Sequence, residues 1–143
     1  RPIEMAGAIG REQLRKLPGL VEGRRRNADV FRTLFADAEF ARIQRETGRS
    51  SWFGFAITLA GPLAGRRPEV AERLRAEGVE ARPVVAGNFL NNPVIAHLPH
   101  SVSGRLDAAE RIDIDGLFIG NHHYDIARPL SEIRDLLGAI ARG

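Results

Sequence analysis

The chain has 143 residues, of which 43% are apolar and 27% are charged, and this length suits one globular domain with a hydrophobic core. No apolar run approaches the roughly 20 residues that span a bilayer, so we expect no membrane role. The formal net charge is +3, but the arginines are scattered among 18 acidic residues and do not form the clustered basic surface that nucleic-acid binding requires.

The first segment, from Ile3 to about Phe35, has the apolar periodicity of a helix. Its apolar residues recur in steps of three and four, at Leu14, Leu17, Val21, Ala28, Phe31 and Phe35. This spacing predicts one buried stripe along the helix. Pro18 and Gly19 interrupt the pattern, and because proline lacks a backbone donor and clashes with the preceding turn, we expect a kink or the start of a new helix there.

Two strands and a helix are predicted in the middle of the chain. Residues 51–59 are aromatic and β-branched and are followed by Gly-Pro, which is typical of a strand. A helix should run from about 68 to 77, with Gly78 as its C-terminal cap. It should turn three apolar residues inward: Val70, Ala71 and Leu74. Residues 79–85 read as the next strand, and Pro83 places it at a sheet edge or near its own end.

The last third of the chain is predicted to begin with irregular structure. Residues 91–104 are rich in turn-forming residues and should hold at most one short helix. We expect a short helix at 105–112, a short strand at 117–119 and a C-terminal helix at 130–140. The last helix should bury one face, formed by Leu130, Ile133, Leu137 and Ile140. The element order predicts an α/β (α+β) fold, a small sheet covered by helices, with a long N-terminal helical segment.

The domain organisation follows from these elements. We expect residues 1–143 to form a single domain, with a helical connecting segment over 1–37 and a small α/β sheet domain over 48–143. The chain begins with Arg1 rather than Met and shows no apolar signal-peptide core. We therefore expect it to be part of a longer protein.

Two Gly-Asn elements, each of which follows an apolar strand-like run, are the main candidates for ligand binding. The first is Gly-Asn-Phe at 87–89 and the second is Gly-Asn-His-His at 120–123. Loops held by a rigid scaffold are where binding groups concentrate. The amides of Asn88 and Asn121 offer both a donor and an acceptor to sugar hydroxyls or base edges. The alternative at each position is a structural turn in which asparagine tolerates a left-handed backbone.

No metal site is predicted. His122 and His123 are adjacent and point to different sides of an extended chain, while His97 and His100 lie in a separate loop. Zinc needs three or four convergent ligands, and the chain has no cysteine, which also suits a cytoplasmic protein. Beside a ligand pocket, a histidine that titrates near neutrality can donate to a phosphate or a sugar hydroxyl. A hydrogen-bonded loop histidine is the alternative.

Two longer segments carry a family resemblance. Residues 4–14 read Glu-Met-Ala-Gly-Ala-Ile-Gly-Arg-Glu-Gln-Leu, and residues 71–83 end in Gly-Val-Glu-Ala-Arg-Pro. Both resemble segments of the pyridoxal-phosphate-dependent nucleotide-sugar aminotransferases, a fold-type-I family, and the resemblance covers almost the whole chain. The two Gly-Asn elements, with Asn-Asn-Pro-Val at 91–94, are more similar to the branch of that family formed by the 4-keto-6-deoxyhexose 3-dehydratases.

The resemblance implies that the chain is the C-terminal small domain of a homodimeric enzyme. Its cofactor, pyridoxal 5'-phosphate, would be held mainly by a larger domain outside this chain. The cofactor lysine, or the histidine that replaces it in the dehydratases, would lie there as well. The resemblance therefore implies no catalytic residue in this chain and no turnover by the chain alone.

The binding residues implied by the resemblance are accessory ones. Arg1 matches the arginine of a turn that reaches the cofactor phosphate of the partner subunit. Asn88 and Phe89 are expected to face the sugar or the cofactor edge. His122 and His123 are expected to face the nucleotide-sugar substrate.

The reaction stays open between transamination of a nucleotide-linked 4-keto-6-deoxysugar and removal of its C3 hydroxyl, both in deoxysugar and polysaccharide biosynthesis. A non-catalytic sugar-nucleotide-binding or dimerisation module on the same scaffold is the alternative function. Trp52 and Phe53 lie in a strand-like run, which favours core positions over base-stacking ones for both.

Overall fold

A four-stranded antiparallel sheet forms the centre of the structure, a computed structural model that describes residues 3–143. The strands are β1 (Ala41–Ile43), β2 (Gly54–Leu59), β3 (Ala81–Pro83) and β4 (Gly116–Gly120), and their order in the sheet is β1-β2-β4-β3. β4 pairs with β2 along its whole length, from Gly120 opposite Gly54 to Gly116 opposite Thr58. β3 pairs with the other side of β4.

Within residues 3–143, four α-helices accompany the sheet: α1 (Glu4–Leu34), α2 (Arg67–Ala76), α3 (Asp107–Asp115) and α4 (Ala127–Ala141). Short 3-10 turns cover Gly61–Leu63, Phe89–Asn91 and Pro93–His97. α4 packs against both α1 and α2, whereas α3 packs against β2 and β4. The predicted fold class, a small sheet covered by helices, is confirmed. No helix among residues 3–143 has an apolar stretch long enough to cross a bilayer.

The hydrophobic core lies between one face of the sheet and the helices. Alternate residues of β2, namely Phe55, Ile57 and Leu59, are each at most 1% exposed, because successive side chains of a strand point to opposite faces. Phe31 of α1 stacks on Phe55 with 4.4 Å between ring centroids. β4 contributes Leu117 and Ile119. The other buried apolar residues come from β1, the helices and the connections: Ala28, Phe35, Ala38, Ala41, Trp52, Leu63, Val70, Leu74, Ile126, Leu130, Ile133, Leu137 and Ile140.

Helix α1 differs from its prediction in two ways. It runs through Pro18 without a break, so of the two alternatives the start of a new helix is wrong, while a kink stays a prediction. The proline removes one backbone hydrogen bond from a helix of 31 residues. The predicted stripe is buried only in its second half, at Ala28, Phe31 and Phe35, whereas Leu14 and Leu17 are 66% and 47% exposed. Periodicity identifies an apolar face without showing what covers it.

The shorter elements agree with the sequence in most respects. α2 ends before Gly78, which has a φ of +76° as a C-terminal cap requires, and β3 is an edge strand that ends at Pro83. All four residues predicted for the buried face of α4 are buried. β1 was not anticipated, because three residues are too few for a periodic pattern. β1 lies between the predicted helical connecting segment (1–37) and the predicted sheet domain (48–143). The division of the chain into these two parts stays a prediction.

Candidate ligand-binding turns

The two Gly-Asn elements lie at opposite ends of β4. The backbone N–H of Val84 donates to the carbonyl oxygen of Gly116, so the chain leaves β3 beside the first residue of β4 and enters the first element there. The second element follows directly after Gly120, the last residue of β4. Four residue steps of about 3.4 Å, or roughly 14 Å, separate the two ends of this strand. The two elements therefore do not form one common site within this chain.

Asn121 is a buried hydrogen-bonding residue and is not presented to a ligand. It is 6% exposed, and its Nδ2 donates to the carbonyl oxygens of Arg24 at 3.0 Å and Trp52 at 2.9 Å. Its Oδ1 accepts from Nδ2 of Asn27 at 3.1 Å. The left-handed conformation does not apply, since Trp52 is the only non-glycine residue with positive φ in the described part of the chain. The amide of Asn121 joins α1, the entry to β2 and the exit of β4.

The turn after Asn121, which we call the histidine turn (His122–Tyr124), presents three ring side chains to solvent. The ring of His122 stacks on that of Tyr124 with 4.6 Å between centroids and an interplanar angle of 18°. His123 meets Tyr124 edge-on, with 5.5 Å between centroids. The turn thus offers two imidazoles and a phenol, groups that hydrogen-bond to phosphates and to sugar hydroxyls. Tyr124 was not among the predicted binding residues, although an aromatic residue directly after two histidines is a signal in the sequence.

A hollow of about 310 Å³ borders the histidine turn. It lies between the second half of α1 and the chain from His123 to Ala127, and Arg26 and Asp125 contribute to its wall. Its size is at the lower end of the range for small-molecule sites. The hollow and the histidine turn together form the surface next to the end of β4 at Gly120.

An aromatic pair, exposed Phe53 and half-buried Phe118, lies at the same end of the sheet as the histidine turn. Phe53 precedes Gly54, which pairs with Gly120, and it is 71% exposed and stacked on Phe118 with 6.1 Å between centroids. The guanidinium carbon of Arg24 lies 5.8 Å from the centre of the Phe53 ring. The prediction of a core position is confirmed for Trp52, which is 2% exposed, and is wrong for Phe53. β2 begins only at Gly54, so strand alternation does not govern this pair.

The first Gly-Asn element is held against α3. Nδ2 of Asn88 donates to Oε2 of Glu110 at 2.7 Å, while its Oδ1 accepts from the backbone N–H of Leu90 at 3.1 Å and caps a 3-10 turn. A Cβ at Gly87 would stand 2.3 Å from Cα of Asp113, so the loop packs directly on the helix. One amide N–H of Asn88 remains for a ligand, and Phe89 is 47% exposed.

Hydrogen bonds and charge also shape the acidic side of this loop. Nδ2 of Asn91 donates to Asp113 at 2.8 Å and to Glu110 at 3.1 Å. The side-chain hydrogen bond from Asn91, with the backbone N–H of Asn88 and the charge of Arg67, lowers the pKa of Asp113 below its usual value. The hydrogen bonds from this loop therefore favour the ionised form of the Asp113 carboxylate.

Arg1, the residue predicted to bind the cofactor, lies outside the described residues 3–143. Lys16, the only lysine of the chain, is exposed on the first half of α1. Within the described residues, no three or more histidine and acidic side chains converge as metal ligands would. The described part of the chain thus forms no lysine-lined pocket for pyridoxal phosphate.

Comparisons with known proteins find relatives over most of the chain. The family model described as "DegT/DnrJ/EryC1/StrS aminotransferase family" matches residues 2–124. A GDP-4-keto-6-deoxy-D-mannose 3-dehydratase from Yersinia pseudotuberculosis is 45% identical over 138 residues, which cover 96% of this chain and 35% of that protein. A protein of the same name from Escherichia coli O55:H7 is 42% identical over 138 residues, with 96% and 36% covered.

A solved structure supports the same relationship. The GDP-4-keto-6-deoxy-D-mannose 3-dehydratase of E. coli with bound hydrated pyridoxal phosphate superposes with a TM-score of 0.86 at 42% identity, covering 96% of this chain and 36% of that one. The chain thus spans about a third of the length of these relatives. The predicted family resemblance is confirmed, and the chain belongs to the DegT/DnrJ/EryC1/StrS aminotransferase family.

Proposed function

We propose that this chain is part of a pyridoxal-phosphate-dependent enzyme that acts on a nucleotide-linked 4-keto-6-deoxysugar in deoxysugar or polysaccharide biosynthesis. The observation that carries the proposal is the identity of 45% and 42%, over 96% of the chain, to two proteins named GDP-4-keto-6-deoxy-D-mannose 3-dehydratase. Those names favour removal of the C3 hydroxyl of a GDP-linked sugar over transamination. The activity is assigned to the full-length protein, and we expect no turnover by the chain alone.

Within that enzyme, we assign the histidine turn to the substrate. His122 and His123 are exposed at the end of β4, and imidazoles near neutral pH donate to phosphate oxygens and to sugar hydroxyls. The cations Arg24 and Arg26 of α1 lie at the same end of the sheet. A nucleotide-sugar is an anion with hydroxyl groups, and the two imidazoles and the guanidinium of Arg24 offer it donors, while Arg26 is paired with Glu22 at 3.0 Å.

The opposite end of β4 is assigned a second, accessory contact. Phe89 is half exposed and offers a ring face to the sugar or the cofactor edge. Asn88 caps the turn that carries Phe89 and keeps one N–H for the ligand. About 14 Å of strand separates this loop from the histidine turn. One substrate molecule would contact both only if it extended along the sheet. Otherwise the two loops contact different parts of the substrate and the cofactor.

The cofactor is assigned to the part of the enzyme outside this chain, together with the lysine or histidine that acts on it. Lys16 is exposed and is not enclosed as a cofactor lysine must be, so we derive no chemical step through pyridoxal phosphate from these residues. Arg1 is proposed to reach the cofactor phosphate. The chain's own residues bind and orient the substrate.

We further propose a homodimer and a cytoplasmic location. The first half of α1 exposes Met5, Ile9 and Leu14 at 70%, 62% and 66%, and apolar surface of this extent is typical of regions that another chain or domain covers. The absence of cysteine suits a reducing compartment.

The test uses the full-length protein with pyridoxal phosphate, an amino donor and GDP-4-keto-6-deoxymannose. Mass spectrometry and NMR of the sugar should show loss of the C3 hydroxyl. An amine at C4 would assign transamination. Binding of the nucleotide-sugar with neither product would instead support the alternative, a non-catalytic binding or dimerisation module.

A further inference from the structure

Helix α1 touches the main chain of the histidine turn at Gly23. A Cβ at this position would stand 1.9 Å from the carbonyl oxygen of His123 and 2.8 Å from its carbonyl carbon. No side chain fits in that space unless the turn moves. Gly19, one helical turn earlier, has no atom within 4 Å of the corresponding position. Glycine is therefore needed at 23 for the approach of the turn to the helix.

One turn further along α1, Asn27 binds the main chain on both sides of His123. The two N–H groups of its Nδ2 are shared among three oxygens: the carbonyl oxygens of His122 at 2.9 Å and Tyr124 at 2.8 Å, and Oδ1 of Asn121 at 3.1 Å. Its Oδ1 accepts from the backbone N–H of Ile126 at 3.3 Å. Asn27 is 3% exposed, so these bonds form away from solvent. A single side chain thus holds the chain from 121 to 126.

These contacts fix a segment that otherwise has little to hold it. The side chains of His122, His123 and Tyr124 are exposed, so the turn buries little apolar surface apart from the contacts of its rings with one another. Fixing the backbone of one residue costs roughly 1–2 kcal/mol in conformational entropy. The glycine contact and the amide bonds of Asn27 come from a helix that is anchored in the core by Ala28 and Phe31.

We propose that Gly23 and Asn27 are positioning residues, which set where His122 and His123 stand relative to the substrate. This inference rests on the proposed function, because the histidines must bind substrate for their position to matter. Neither Gly23 nor Asn27 needs to touch the substrate. Helix α1 then acts as the support of a binding turn that lies about 100 residues later in the chain.

The experiment compares Gly23→Ala with Gly19→Ala in the full-length protein. Both substitutions remove a helical glycine and gain helix propensity equally, but only the first places a methyl group against His123. We expect Gly23→Ala to raise KM for the nucleotide-sugar about tenfold, the factor that corresponds to one lost hydrogen bond of about 1.4 kcal/mol, with kcat little changed. Gly19→Ala should leave both constants at the wild-type values. Melting temperatures establish that each variant is folded.

A second variant, Asn27→Asp, keeps the size of the side chain and replaces the amide donor by an acceptor. It should shift KM in the same direction as Gly23→Ala, and the NMR signals of the His122 and His123 rings should move in both variants. Asn27→Asp serves alone if Gly23→Ala does not fold.

Single His122→Ala and His123→Ala variants separate the two proposals. If they raise KM while Gly23→Ala and Asn27→Asp keep the wild-type KM, the positioning inference is wrong and the substrate role of the turn stands. If neither histidine variant changes KM, both the substrate role and the inference are overturned. If the histidine variants and the α1 variants all raise KM, the result supports both the substrate role of the turn and the positioning role of Gly23 and Asn27.

Discussion

Replacing Asn121 by alanine should destabilise the fold more than replacing an exposed asparagine. The substitution removes the donor that the carbonyl oxygens of Arg24 and Trp52 share, while Asn27 keeps its bonds to His122 and Tyr124. Each buried polar group left without a partner costs about 1–3 kcal/mol. The carbonyl oxygen of Arg24 lies inside α1 and keeps its intrahelical bond, so the unpaired carbonyl of Trp52 predicts a loss of roughly 1–3 kcal/mol in the free energy of unfolding.

The assay is equilibrium unfolding of the 143-residue chain in urea, followed by the fluorescence of Trp52, the only tryptophan. The matched control is Asn92→Ala, since Asn92 is exposed and its side chain accepts only from the N–H of Val94, at 3.0 Å. The control should lose about 1 kcal/mol or less, as caps do. A loss for Asn121→Ala that equals the control would refute the assignment of Asn121 as a buried structural amide. Equal m-values in the three proteins make the comparison valid.

Two further predictions concern the loops. In the full-length protein, Asn88→Ala and His122→Ala should keep the melting temperature within a few degrees and lower the affinity for the nucleotide-sugar about tenfold, as loss of one hydrogen bond implies; unchanged affinity in both would assign the loops a structural role. The pKa of Asp113 is lowered in the folded protein. The ionised carboxylate therefore stabilises the fold fully above the unfolded-state aspartate pKa of about 3.9. This stabilisation is lost as the pH falls through the lower folded-state pKa. The side-chain amide NMR signals of Asn91 should therefore shift on acidification below pH 4, and signals that stay constant down to full protonation of Asp113 would contradict the link.

The sequence was informative wherever a pattern is local. The face of α4, the cap at Gly78 and the edge position of Pro83 all follow from the spacing or the backbone chemistry of neighbouring residues. The family resemblance likewise rests on contiguous motifs at 4–14 and 71–83. Periodicity also identified the apolar residues of α1, but it could not separate Phe31, which the core covers, from Leu14, which stays exposed in this chain.

The candidate site depended on contacts between distant parts of the chain. Asn88 and Asn121 look alike in sequence, each after a glycine and an apolar run. Only the tertiary structure separates them, because the partners of Asn121 lie 97 and 69 residues away at Arg24 and Trp52. The same holds for Phe53, whose exposure depends on where β2 begins, and for Gly23, whose need for glycine arises from the carbonyl of His123.

By itself the sequence determined most of the elements, the family and the residue types available to a ligand, since helix and strand patterns and capping act over a few residues. The tertiary structure decided which of those residues are free to bind. Strand pairing put the two Gly-Asn elements at opposite ends of β4, and the packing of α1 against the exit of β4 turned Asn121 inward and left His122 and His123 outside. A buried amide must find partners wherever the fold brings them, and no local pattern records that choice.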